Sequence, residues 1–184
     1  MSGDRTHAVN HKIFISYRRD DCPAESRQVC DALQSLGGSV AVFFDTRAVG
    51  PGDHWPEKTR AALENAQIVV VVIGDFSKWL GVNDGGQRIQ EPGDWVRKEI
   101  ALAIRQEKKV IPVLVGKNYQ MISAAHLPED IKALADRYAI HLRSDYWDFD
   151  IRLLLNAVNP NPPDTILLND EGFPMASSCR GSTK

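Results

Sequence analysis

The densest chemistry in this chain lies in one hexapeptide, Asp94-Trp95-Val96-Arg97-Lys98-Glu99. On a 3.6-residue period Glu99 falls between Trp95 and Ala103, inside an arc that also holds Leu102, Val96, Ile100 and Ile104. Arg97, Lys98 and Arg105 point elsewhere. A carboxylate in an apolar arc is desolvated and must find hydrogen-bond donors or give up its charge. Two readings follow: a structural glutamate satisfied by a backbone amide or by Arg18 or Arg19, and a functional charge held in a pocket. Trp95, one turn earlier, covers the same surface, either as a core or interface residue or as an indole on which a planar heterocycle stacks. Arg18, Arg19 and Arg47 follow strand ends. Each suits bidentate phosphate binding, or surface pairing with Asp20, Asp21 or Asp45.

These residues need a scaffold, and the hydrophobic pattern supplies one. Short β-branched or aromatic runs at 13–15, 40–44, 68–73, 110–115 and 139–142 read as strands. Between and after them, helical periods cover 23–36, 56–66, 94–106 and 128–135, with a last helix running through Leu153. Such alternation predicts an α/β fold, a five-stranded parallel sheet with helices on both faces. Functional groups in these sheets gather at the carboxyl ends of the strands. That singles out 17–21, 45–55 and 74–93. The last is long for a compact domain and rich in glycine, so part of it is expected to be mobile or to depend on a partner.

The domain itself is expected over 12–157. Residues 1–11 show no apolar period and read as a disordered N-terminus, and 158–184 read as a Pro-rich linker and C-terminal tail from Asn159-Pro160-Asn161-Pro162-Pro163. A tail too short to bury a core of its own predicts a larger setting, with a sensor domain or partner chain.

Composition removes several classes of function. With 43% hydrophobic and 25% charged residues, the 184-residue chain can bury a core, and a net charge of −2 is not the footprint of a nucleic-acid binder. Its longest strongly apolar run, 68–73, is far short of the ~20 residues of a spanning helix, and without a charged n-region followed by an apolar h-region a secretory signal is not expected. Cys22, Cys30 and Cys179 are odd in number and lack CxxC spacing, so reduced thiols and a cytoplasmic location are expected and a zinc site is not. His7 and His11 lack further ligands nearby. The phosphate-loop, GxGxxG, HExxH and GxSxG signatures are absent. A phospho-accepting receiver would use Asp20-Asp21, Asp75 and Lys117, but Tyr17-Arg18-Arg19 would crowd its acidic pocket with cations.

Four segments, in order, resemble the Toll/interleukin-receptor (TIR) domain in its bacterial form: Lys12-Ile13-Phe14-Ile15-Ser16-Tyr17-Arg18-Arg19, Val42-Phe43-Phe44-Asp45 leading into Val49-Gly50-Pro51-Gly52-Asp53-His54-Trp55, Asp94-Trp95-Val96-Arg97-Lys98-Glu99-Ile100, and Val110-Ile111-Pro112-Val113-Leu114. The resemblance implies a flavodoxin-like fold and a 45–55 loop used in self-association. It also implies membership of the class that cleaves NAD+ between nicotinamide and ribose, giving ADP-ribose or a cyclic isomer, activated by self-association in a bacterial defence or signalling system. Glu99 then matches the catalytic glutamate. Tyr17, Arg18, Arg19, Asp45, Arg47, Trp55 and Trp95 are the substrate-binding candidates. NAD+ is a consumed substrate, so no cofactor and no metal are expected. The other reading of the same family is a non-enzymatic TIR–TIR interaction module.

Overall fold

In a computed structural model, residues 11–44, 57–80, 82–83, 86–116 and 120–159 are described. The first strand, β1 (His11–Tyr17), is followed by α1 (Pro23–Gln34), β2 (Val40–Phe44), α2 (Glu57–Asn65) and β3 (Ile68–Ile73). Next come a short helix α3 (Phe76–Leu80), α4 (Trp95–Arg105), β4 (Lys109–Val115), β5 (Ile140–Leu142) and α5 (Trp147–Val158). All five strands are parallel, in the order β2-β1-β3-β4-β5. This is the flavodoxin-like arrangement, with the chain reversing direction across the sheet between β1 and β3.

The central strand explains the architecture. Ile68–Ile73 reads IVVVVI and every residue is buried, because helices cover both faces. On one side α1 and α5 close over Ile13, Ile15, Val70, Val72 and Val113. On the other, Phe14, Val69, Val71, Ile73 and Leu114 meet Val96, Ile100 and Ala103 of α4 and Leu63 of α2. α4 starts cleanly because Asp94 is extended (φ −61°, ψ 127°) and its side chain accepts the Arg97 N–H at 2.8 Å, satisfying one of the donors a helix start leaves open.

The expected strands and most helices appear within a residue or two of their boundaries. β1 takes in His11 and α5 runs to Val158, one residue beyond each expected edge of the domain. One expectation changes. The 128–135 segment is a 3₁₀ helix, Glu129–Leu134, and its buried residues Ile131 and Leu134 are three apart, the repeat of that tighter helix. In the 74–93 segment the described residues hold α3, a two-stranded ribbon (Val82–Asn83 with Gly86–Gln87) and a 3₁₀ turn, Arg88–Gln90, while 81, 84 and 85 lie outside them. Trp79 and Ile89 are fully buried and anchor the segment; Phe76, Trp79 and Leu80 stand at helical i, i+3, i+4 spacing, a signal too short to stand out among the glycines that follow. The 1–10 end, the 45–55 loop and the tail from 160 lie outside the described residues. Among those described, no helix is long and apolar enough to cross a membrane.

Candidate active site

Alternation along β1 sorts the candidates. Odd-numbered Ile13, Ile15 and Tyr17 face the α1/α5 side, whereas Phe14, Ser16 and Arg18 face α4. Ser16 is buried, and its hydroxyl donates to Glu99 Oε2 at 2.6 Å across 83 residues of sequence. Two residues on, Arg18 is 2% exposed and donates from Nη1 and Nη2 to the two oxygens of Asp94, at 2.7 and 3.0 Å. The guanidinium also lies 5.0 Å from the Trp79 ring centroid. Its Nε is buried and has no hydrogen-bond partner among the described residues.

One acid therefore does two jobs at the head of α4. Asp94 caps the helix and holds Arg18, tying the end of β1 to the start of the helix that carries Trp95 and Glu99. Glu99 is half-buried, as the apolar arc implied, and the hydroxyl of Ser16 is a donor that neither reading of the sequence had named. Period-two alternation from Phe14 would have pointed to Ser16. Trp95 is also half-buried, with Lys98 Nζ 4.5 Å from its ring centroid, so an ammonium covers part of the indole.

The other candidates are distributed differently. Tyr17 stacks on Phe44 at 4.9 Å on the opposite side of the sheet from Glu99. Arg19 is half-buried just beyond it. Arg18, expected at a substrate phosphate, has both terminal nitrogens bonded to Asp94: just past the end of β1 and on its core-facing side, it meets a buried acid. Asp45, Arg47 and Trp55 lie outside the described residues.

The acids of a receiver-like pocket are committed elsewhere. Asp21 accepts from the backbone N–H of Gly74 at 2.9 Å and of Asp75 at 2.6 Å, and from Trp79 Nε1 at 3.2 Å. It latches the segment after β3 onto the segment after β1. Gly74 is needed for this approach, since a Cβ there would stand 2.5 Å from Asp21 Oδ1. Asp75 accepts the Ser77 N–H at the start of α3, which lowers its pKa, and Asp20 pairs with Arg88 at 2.6 Å. Burial pushes Asp20 upward, but the bond to Arg88 and that residue's charge more than offset it, leaving the pKa lowered. Cys22, behind the latch, has its thiol pushed up to about 12 by burial first and by the Asp21 charge second. A shallow groove of about 180 Å³ runs along the outer side of α4, lined by Pro92, Arg97, Lys98, Ala101, Arg105 and Asp130, and includes neither Trp95 nor Glu99.

The sheet order, the Glu99 helix and the β1 motif agree with a match of the family described as TIR domain over residues 13–155. The chain belongs to the TIR-domain family. It is 26% identical over 150 residues to NAD(+) hydrolase SARM1 of Danio rerio, an alignment that covers 82% of this chain and 20% of the relative. The chain therefore spans about a fifth of that relative's length. Among solved structures, the TIR domains of the activated Roq1 resistosome align with a TM-score of 0.57 at 15% identity, covering 81% of this chain and 99% of that one. A prokaryotic SEFIR domain aligns with a TM-score of 0.53 at 19% identity, covering 81% and 99%. A TIR-STING receptor from C. gigas, solved in complex with 2',3'-cGAMP, aligns with a TM-score of 0.52 at 21% identity, covering 86% and 42%. At these identities the structural likenesses speak for the fold. Within this TIR domain, Glu99 and Trp95 sit on the helix that enters the sheet's carboxyl edge, held by Asp94 and touched by Ser16 from β1.

Proposed function

We propose that this TIR domain is an NAD+ glycohydrolase, releasing nicotinamide together with ADP-ribose or a cyclic isomer. The observation that carries the proposal is Glu99, half-buried one turn after Trp95 and bonded by Ser16, in a chain related to a protein named NAD(+) hydrolase. Nicotinamide in NAD+ is a cation that leaves as a neutral ring, keeping the electron pair of the broken C–N bond. Its departure therefore needs no general acid, unlike a glycosidase that works with two carboxyls. Positive charge then develops on the ribose. A carboxylate at the ribose hydroxyls meets that charge, and partial burial limits its screening by water. Water attacking the ribose and losing a proton yields ADP-ribose; a ring nitrogen or ribose oxygen of the same molecule yields the cyclic isomer.

Trp95, one turn before Glu99, is the proposed aromatic surface for nicotinamide. Arg19 and Arg47, the latter outside the described residues, are the proposed contacts of the pyrophosphate, beside an Arg18 held by Asp94; Tyr17, Asp45 and Trp55 complete the proposed contacts. Self-association through the 45–55 loop is proposed to complete the site, and the resistosome setting of the Roq1 TIR domains supports assembly as the active form. Specific activity should then rise with protein concentration.

Glu99→Gln tests the proposal, since it keeps volume and hydrogen-bonding capacity and removes the charge. Nicotinamide release should fall at least ~100-fold, the scale of losing one well-placed electrostatic group, with the melting temperature unchanged or raised. A variant that turns over NAD+ at the parent rate removes Glu99 from the chemistry, and a parent protein that releases no nicotinamide at high concentration leaves the interaction-module reading.

A further inference from the structure

We propose that Ser16 is a positioning residue for Glu99, its hydroxyl fixing Oε2 and, with it, the plane in which the carboxylate meets the substrate. The inference rests on the hydrolase proposal and adds a residue to it. Ser16 occupies an unlikely place for a hydroxyl. It is 1% exposed, on the same face of β1 as Phe14, and is paired in register with Val71 of β3, against a core of Val69, Val71, Ile73 and Ile100. A buried hydroxyl costs stability unless it is bonded, and here the bond goes to Glu99 at 2.6 Å.

The two partners differ in freedom. Ser16 lies on a strand paired to β2 and β3 on its two sides, so its Oγ is delivered from a rigid frame with one short side-chain torsion. Glu99 has three side-chain torsions, and the last, about the bond to its carboxyl carbon, has a broad minimum. That torsion sets the direction in which a half-buried carboxylate presents its charge. Bonding one oxygen to a fixed donor selects one direction. Since the proposed catalysis is a charge aimed at a developing cation, aim carries rate.

A positioning role and a merely structural one separate in kinetics. Ser16→Ala should lower kcat for nicotinamide release about 10-fold or more while KM moves less than about 3-fold, because the substrate contacts are kept and only the aim of the charge is lost. Ser16→Thr, which restores a hydroxyl on a strand that favours β-branched residues, should recover kcat to within about 3-fold of the parent. In a Glu99→Gln background, Ser16→Ala should cost less than about 2-fold further, since residues acting as a unit are not additive. Ser16→Ala at parent kcat, or an equal loss in both backgrounds, overturns the role of Ser16 while leaving Glu99 in place. A loss of kcat accompanied by an early melt and no rescue by Thr makes Ser16 structural and overturns it also. A parent that releases no nicotinamide overturns the hydrolase proposal, and Ser16 falls with it.

Discussion

Two arginine–aspartate clamps pin helices to this sheet, and they are built alike but surrounded differently. In each, an arginine at or just after the end of a strand grips an acid at the head of a helix: Arg18 after β1 holds Asp94 at α4, and Arg143 after β5 holds Asp150 in the first turn of α5. Both acids also take a backbone N–H, Asp94 from Arg97 and Asp150 from Arg143. The side chains of Arg18 and Asp94 are 1% and 5% exposed, whereas Arg143 is 34% exposed over an Asp150 at 2%. The α5 clamp reaches solvent and stands on the face away from Glu99. The α4 clamp is sealed, and the helix it starts carries Trp95 and Glu99. One device thus pins a helix on each side of the sheet, and under the proposed function the sealed one would also orient Glu99.

Removing the sealed clamp should have the largest effect. Asp94→Ala strands a buried guanidinium and uncaps α4, and we expect a loss of about 4 kcal/mol, seen as a melting temperature lower by roughly 8–16 °C. Turnover measured well below that melt should also drop about 10-fold, because the helix start that orients Glu99 is released. If Asp94→Ala melts early but keeps its kcat, the two clamps are equivalent and the comparison fails.

The open clamp should be cheaper and silent in catalysis. Asp150→Ala leaves Arg143 able to turn to water, so about 2 kcal/mol is expected, with kcat for nicotinamide release at the parent value. A fall in kcat to match that of Asp94→Ala would show that any loosened helix degrades the site.

A third tie is the Asp21 latch, and Gly74→Ala probes it. The added Cβ, 2.5 Å from Asp21 Oδ1, must push the carboxylate off the amides of Gly74 and Asp75, and about 1–2 kcal/mol should be lost. Hydrogen exchange should quicken over 74–80 and stay unchanged in α5. Uniform exchange would mean that the latch holds no separate unit.

The smallest expected effect concerns pH. Cys22 packs in the α1/α5 core directly behind the latch, and its thiol pKa is raised from 9.0 to about 12. The folded chain keeps a proton that the unfolded chain begins to give up near pH 9, so this contribution to stability is whole below pH 9 and declines as pH rises toward 12. Denaturant midpoints taken between pH 8 and pH 10.5 should fall less steeply in Cys22→Ala than in the parent; equal slopes would assign the alkaline loss to other groups.

Legible before folding were the features whose causes are local. The IVVVVI run of β3 is apolar throughout because both faces are covered, and the 3.6-residue arc around Glu99 correctly marked it as half-buried. The family was legible as well, since its motifs are contiguous stretches of strand and helix ends. Folding decided the partners. Ser16 meets Glu99 across 83 residues, Arg18 meets Asp94 across 76, and Asp21 meets Gly74 across 53, so none of these contacts lies within the reach of any periodic pattern. Which acid takes Arg18 depended on strand order and on the pleat that turns alternate residues to opposite faces, and that geometry exists only once β1 lies between β2 and β3 with α4 laid across it. Trp79 shows the same limit: its place in the short apolar pattern Phe76, Trp79, Leu80 is local, but its bond to Asp21 comes from a segment 58 residues away.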